Sequence, residues 1–194
     1  TFTEPASYGA EPTHRPNVIL IFIDDLGYGD IGPFGATKVR TPHLERLAAE
    51  GMKFHSFYAT PVCSMSRAAL MTGCYPKRVL PVPHVLFPAG AVGLTTEART
   101  LAEVLQAGGY ATAIIGKWHL GLETPNTPNE RGFDHFHGFL GDMMESYTSH
   151  LRHGINYMRL NDKIIEPQGH ATDLFTDWAS DYLRERATHR EQPF

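Results

Sequence analysis

Val18 to Ile23 form an unbroken apolar run, VILIFI, that closes on two aspartates, Asp24 and Asp25. The run is short, rich in β-branched residues and free of polar alternation. Such a segment suits a strand covered on both faces, as in a parallel sheet sandwiched between helices. The following segments fit that frame. TPHLERLAAEG, residues 41–51, predicts a helix with Thr41 as N-cap and Pro42 at the first helical position. Leu44, Leu47 and Ala48 share its apolar face, and Gly51 ends it. KFHSFYA, 53–59, predicts a short strand, and SRAALMTG a helix opening near Ser64 to Ser66. Thr100 and Glu103 have capping-box spacing, ahead of a buried stripe of Leu101, Val104 and Leu105 and a terminating Gly108. YATAIIGKWH resumes as a strand. TDLFTDWASDYLRER closes as an amphipathic helix with Leu174, Phe175, Trp178, Tyr182 and Leu183 on one face. Strands alternating with helices give an α/β layered fold.

The 194 residues are enough to bury a substantial core. Residues 1–16 are polar, with proline and glycine, and read as a flexible lead-in to a unit spanning 17–194. Residues 75–93 hold four prolines and read as a long ordered loop, while 121–169 show weak periodicity and read as loop-rich. A net charge of −4 gives no reason to expect nucleic acid. No apolar run approaches the ~20 residues needed to span a membrane. The opening residues lack the basic start and apolar centre of a signal peptide. Two cysteines, Cys63 and Cys74, make neither a disulfide framework nor a cysteine-rich zinc site, whereas eleven histidines are enough that some should bind something.

Three groups of residues suit chemistry. Asp24 and Asp25 stand at the carboxyl edge of the first strand, where covered parallel sheets bind ligands. The glycines of LGYGDIG follow them. A hard divalent cation would offset the repulsion between adjacent carboxylates; the alternative is one carboxylate capping the turn and the other solvated. Lys117 and His119 lie two apart at another strand end and so point the same way, with Trp118 opposite. A fixed cation beside an imidazole suits an anionic substrate and proton transfer, although a surface lysine and a hydrogen-bonded structural histidine read equally plainly. Cys63 and Arg67 are four apart and share the first turn of the predicted helix, a place that binds oxyanions. That position also lowers a thiol pKa, leaving open a cysteine nucleophile, or a packed thiol beside a paired arginine. His135 and His137 alternate in FDHFHGF, a pattern that suits packing or binding alike, and His43 falls in a solvated first helical turn.

The segments PNVILIFIDDLGYGDIG, TPHLERLAAEGMKFHSFYA, CSMSRAALMTG and GKWHLG, in this order, resemble the N-terminal half of the type I sulfatases, within the alkaline-phosphatase-like superfamily. The resemblance covers most of residues 16–140, and the final helix up to EQPF is also similar. It implies an α/β/α sandwich with a mostly parallel central sheet, of which 17–194 would be the N-terminal portion of the catalytic domain. It also implies that Cys63 is oxidised to formylglycine by a formylglycine-generating enzyme, making it the precursor of the nucleophile. One hydroxyl of the aldehyde hydrate would attack the sulfur of a sulfate ester, and the other would then expel sulfate. Asp24 and Asp25 would ligate calcium, Arg67 would fix the hydrate, Lys117 would neutralise sulfate oxygens and His119 would orient the hydrate or assist its breakdown. SYTSH resembles a segment that contacts substrate, which points to Ser149 and His150 on the sulfate or leaving-group side.

The sequence departs from the family in one residue of the motif: Met65 stands where Cys-x-Pro-x-Arg has proline, within a stretch the converting enzyme reads as extended chain. Family members also continue for hundreds of residues and contribute a further histidine, an acid–amide pair and a second lysine. The resemblance therefore implies hydrolysis of sulfate monoesters, on carbohydrates by family frequency, in a secreted, periplasmic or lysosomal setting. The alternatives are phosphate or phosphonate ester hydrolysis, or a catalytically silent fragment that binds sulfated ligands.

Overall fold

The computed structural model describes residues 15–82, 84–87 and 92–194. All but the end of the expected lead-in, and part of the proline-rich loop, lie outside the described residues. Among those described, a sheet of four strands in the order β1-β2-β5-β6 forms the centre: β1 (Ala113–Lys117), β2 (His135–Phe139), β5 (Met158–Leu160) and β6 (Lys163–Ile164). β1 and β2 are parallel, Ile114 beside Phe136 and Lys117 beside Phe139, whereas β2–β5 and β5–β6 are antiparallel. The parallel pair approaches closely at Gly116 and Gly138, where a Cβ on Gly138 would overlap the Gly116 backbone. A small hairpin, β3 (Leu151–Arg152) and β4 (Ile155–Asn156), turns through His153 and Gly154. Both turn residues have positive φ, the backbone that matches a two-residue hairpin to strand twist.

Helices cover the sheet. α5 (Ala171–Arg186) lies across β1 and β2. His135 and His137 face it, His137 stacked on Trp178 with ring centroids 3.5 Å apart and His135 stacked on Tyr182 at 5.2 Å. The alternation in FDHFHGF therefore serves packing. Phe136, between these histidines, is fully buried in the main core with Trp118, Leu120 and Met158 and with Met65, Ala68 and Met71 of α2 (Cys63–Thr72). α2 in turn packs on α3 (Pro76–Val79) and α4 (Leu101–Ala107). The α4 capping box forms as predicted: Thr100 Oγ1 accepts from Glu103 N at 3.0 Å, and Glu103 Oε2 accepts from Thr100 N at 2.9 Å. Arg131, only 2% exposed, links this helix start to the chain before it by donating to Glu103 Oε1 and to the carbonyls of Leu94, Thr95 and Ala98.

Five expectations change. Residues 18–23 join no ladder among the described residues and stay 39–69% exposed. A strand buried on both faces needs neighbours on both edges, and among the described residues the hydrogen bond and ion pairs that tie this segment lie at its ends. Val18 N donates to Phe194 O at 2.7 Å, while Ala111 N, at the start of β1, donates to Pro193 O at 2.9 Å. At the other end Asp24 meets Lys117. The run thus lies parallel to β1 without pairing to it. Residues 53–59 likewise form no strand, with Phe54, Phe57 and Tyr58 exposed. α1 (Pro42–Glu50) forms, but Leu47 is 60% exposed, and the Thr41 hydroxyl accepts from Gly32 N instead of capping the helix. The predicted stripe on α4 is open too, since Leu101 and Val104 are exposed and only Ala102 is buried. Residues 121–169, read as loop-rich, carry five of the six strands among the described residues. These strands are two to five residues long, too short to print a periodicity.

Candidate active site

α2 begins on Cys63, directly after the extended Val62. Ser66 N closes its first turn on Val62 O at 2.8 Å, and the Ser66 hydroxyl donates to Thr60 O. Ser64, fully buried, accepts from Leu86 N at 3.0 Å. Met65 and Ala68 point into the core. These contacts fix the opposite side of the turn, which carries Cys63 and Arg67, toward the carboxyl end of β1.

Arg67 reaches two elements at once. Its Nη1 donates to the Lys117 carbonyl at 2.5 Å, its Nη2 to Asp24 Oδ2 at 3.3 Å, and its guanidinium lies 5.4 Å from the centroid of the Phe22 ring. Lys117 Nζ donates to the same Asp24 Oδ2 at 2.7 Å. Burial alone would raise the pKa of Asp24, but the hydrogen bond and charge of Lys117, joined by Arg67, hold its carboxyl below the usual range. The Arg67 guanidinium is shifted down by burial, and the Asp24 charge opposes that shift. Asp25, next in the chain, has a left-handed backbone with φ 56° and an exposed side chain. The turn there ends the apolar run.

His119 lies just past β1, also left-handed at φ 59° and 4% exposed. The strand alternation used to pair it with Lys117 therefore stops one residue short, although its backbone N still donates to Leu140 O at 3.1 Å. Trp118 is buried in the core, its indole donating to Asn126 O at 2.8 Å. His119 Nε2 lies 2.5 Å from Leu86 O. A carbonyl only accepts, so Nε2 carries the proton and Nδ1 presents a lone pair. That buried Nδ1 has no partner among the described residues. Burial, chiefly, pushes the imidazole down to about 4, the Leu86 carbonyl opposing and the Lys117 charge adding to the shift. It is a neutral ring with a free acceptor beside two cations.

Asp24, Arg67, Lys117 and His119 thus come together, and Cys63 lies one helical turn from Arg67. Ser149 and His150 do not join them. Ser149 is exposed on a loop and His150 is buried, its Nε2 3.0 Å from Gly169 O. Both line a separate cavity of about 320 Å³. Two residues that the sequence did not point to stand between the regions. Asp142 shares a small cleft with His119, and Arg152 grips it through two 3.0 Å bonds from Nε and Nη2. The only trace of this in the sequence is a Gly-Asp after a strand.

As a cation site the region is partial. Two adjacent carboxylates are hard oxygen donors that suit calcium, but calcium takes about six to eight oxygens. Among the described residues no group of three or more His, Cys, Asp or Glu is placed to hold a metal. Both cations meet Asp24 on the same oxygen, Oδ2.

Comparison with known proteins bears on this geometry. Bovine arylsulfatase A is 47% identical over 144 residues, covering 73% of this chain and 28% of that protein. Pig N-acetylgalactosamine-6-sulfatase is 35% identical over 194 residues, covering 90% of this chain and 37% of its own length. The structure of Ps i-CgsB in complex with k-i-k-neocarrahexaose superposes with a TM-score of 0.84 at 32% identity, covering 93% of this chain and 44% of that one. The chain therefore spans between a quarter and a half of the relatives it matches. The family described as Sulfatase matches residues 16–194, from two residues before the apolar run through the last described residue, and the chain belongs to that family.

Proposed function

We propose that the protein carrying this chain hydrolyses sulfate monoesters, with position 63 as the reacting residue. One observation carries the reading: Lys117 and Arg67 converge on one oxygen of Asp24 beside the helix turn that starts at Cys63. A sulfate ester develops charge on its non-bridging oxygens and leaving oxygen during transfer, and fixed cations in a partly buried site stabilise that charge with little reorganisation. Arg67 is held from two sides and orients whatever group stands at position 63. Lys117 can shift its ammonium from Asp24 to a sulfate oxygen. Nδ1 of His119 accepts a proton or a hydroxyl hydrogen bond, and its low basicity keeps the ring neutral until that moment.

Formylglycine formed from Cys63 would supply a hydrated aldehyde, able both to take up sulfate and to release it. Calcium would add a compact double charge, with Asp24 and Asp25 as this chain's contribution to its shell. The depressed pKa of Asp24 fits that role, because the carboxyl is ionised and ready to bind. Maturation by a formylglycine-generating enzyme, a glycan substrate and an extracytoplasmic setting complete the proposal. They rest on the resemblance and, for the glycan, on the carbohydrate names of two relatives. Among the described residues no helix is long and apolar enough to cross a membrane.

The test is mass spectrometry of the tryptic peptide bearing Cys63, after co-expression with a converting enzyme, alongside rates on aryl sulfate and aryl phosphate. Conversion of the thiol with preference for the sulfate is expected. An intact thiol, or a preference for phosphate, rejects the reading.

A further inference from the structure

Ser64 follows the proposed reacting position directly, and its hydroxyl reaches 22 residues along the chain. The side chain is fully buried, and Oγ accepts from Leu86 N at 3.0 Å. A buried backbone N–H is costly to leave without an acceptor, so this bond fixes the course of the chain at Leu86. The Leu86 side chain is buried in the core shared with Met65 and Leu120, which holds the residue from a second direction. With amide and side chain both held, only the ψ torsion of Leu86 is left to aim its carbonyl.

That carbonyl is the partner of His119 Nε2, 2.5 Å away. Burial keeps the ring neutral. In a neutral imidazole one nitrogen donates and the other accepts, and the hydrogen bond made at one decides the state of the other. Leu86 O therefore makes Nδ1 the acceptor, the same buried atom that has no partner among the described residues. The His119 backbone adds a further constraint, left-handed at φ 59° with its N–H bound to Leu140 O. The first turn of α2 is thus joined to the end of β1 twice. Arg67 Nη1 donates to the Lys117 carbonyl, and Ser64 reaches His119 through Leu86. Both ties leave from the turn that starts at Cys63, so a shift of that turn against β1 disturbs at least one of them.

We infer that Ser64 is a positioning residue: through the backbone of Leu86 it locks His119 as the Nε2–H tautomer, with the Nδ1 lone pair held in register with the helix turn that carries position 63. The inference deepens the sulfatase reading and rests on it for the use made of Nδ1, but the tautomer is measurable without turnover.

The test uses the whole protein in two arms. In the first, the protein is labelled with 15N at histidine, and long-range NMR near neutral pH follows the two ring nitrogens of His119, identified by their loss in His119→Gln. In the wild type Nε2 should be protonated and Nδ1 bare. A proton on Nδ1 overturns the inference whatever the variants do. Ser64→Ala should move both nitrogens toward the averaged shifts of exchanging tautomers, and Ser64→Thr, which keeps the acceptor oxygen, should restore them. Thr100→Ala is the control for general loosening, since it removes a buried capping hydroxyl from α4 and leaves Ser64 and Leu86 in place. It should leave both shifts unmoved. An unchanged tautomer in Ser64→Ala, no rescue by Ser64→Thr, or equal scrambling in Thr100→Ala overturns the inference. If Ser64→Ala does not fold, Ser64→Cys, of similar volume but with a weak acceptor, takes its place under the same outcomes.

The second arm compares kcat and KM on 4-nitrophenyl sulfate. Rates are counted per chain converted at Cys63, measured by peptide mass, because position 64 lies inside the motif that conversion would read. Ser64→Ala should lower kcat about ten- to a hundredfold with KM within about twofold, and Ser64→Thr should recover it. An unchanged kcat, or a loss confined to KM, overturns the positioning role. A wild type that holds its tautomer through Ser64 yet hydrolyses no sulfate ester leaves the positioning standing and removes the sulfatase reading instead.

Discussion

Asp24 illustrates how few contacts decide a site. Its Oδ2 holds Lys117 at 2.7 Å and Arg67 at 3.3 Å, so removing either cation changes both the charge and the place of the carboxylate. Lys117→Ala should lower kcat by about two to three orders of magnitude, the effect of deleting one preorganised donor to developing charge, about 3–4 kcal/mol. Steady-state kinetics on an aryl sulfate measures it; a change within twofold would place Lys117 outside the reaction. Arg131 shows the structural counterpart. It is charged, its side chain is 3% exposed, and it is paired to Glu103 while also serving three carbonyls. Arg131→Ala leaves those acceptors unpaired and should cost about 3–5 kcal/mol in urea denaturation. Asp24, Cys63, Lys117 and His119 were legible as candidates because each stands at an element boundary that the sequence marks, and Arg67 because it lies one helical turn on from Cys63. Asp142 and Arg152 were not, because the pair forms across a hairpin whose strands are two residues long. Nor did spacing alone reveal that Arg67 and Lys117 share one carboxylate oxygen, since that meeting depends on how three separate segments pack.

At the scale of elements, the joint between β2 and α5 is made of rings. His135 and His137 stack on Tyr182 and Trp178, so the imidazoles sit where aliphatic side chains would ordinarily pack. Burial, first, and the neighbouring His135 push His137 down to about 4, and burial lowers His135 as well, the Glu185 charge opposing. Both rings are therefore neutral in the folded protein, while in the unfolded chain they titrate near their ordinary value of about 6.5. Between these values the unfolded state binds more protons, so stability rises with pH across that window. It is fully present above about 6.5 and is lost as pH falls toward 4. Thermal unfolding from pH 7.5 to 4 should show a falling midpoint, and His137→Phe, which keeps a ring against Trp178, should flatten it. An equally steep fall in the variant would assign the effect to other groups. Helices were the readable elements: the box at Thr100 and Glu103 and the face of the last helix both carry local signals. The short strands of 135–164 carry almost none, since non-local pairing fixes them.

At the scale of the whole molecule, the feature that led the sequence reading is the one the described residues leave least covered. Val18 to Ile23 are apolar and exposed, and among the described residues they reach β1 through Phe194 and Pro193 at one end and through Asp24 and Arg67 at the other. Phe54, Phe57 and Tyr58, and Leu47 of α1, are exposed apolar side chains as well. Six consecutive exposed apolar residues are a stretch of surface that suits a cover. The backbone amides sharpen the point, because β1 is bonded to β2 while residues 19–23 have no ladder partner among the described residues. Hydrogen exchange on a polypeptide of these 194 residues should therefore find the amides of 19–23 exchanging orders of magnitude faster than those of β2, with no intermediate gradient along the run. The same polypeptide should bind an apolar dye at residues 18–23, and Ile19→Lys with Ile21→Lys should abolish that binding without moving the unfolding midpoint. Protection of 19–23 equal to that of β2 would mean that the run is already paired, and the alignment through its two ends would then be the wrong account of how the Asp24 carboxylate reaches Lys117.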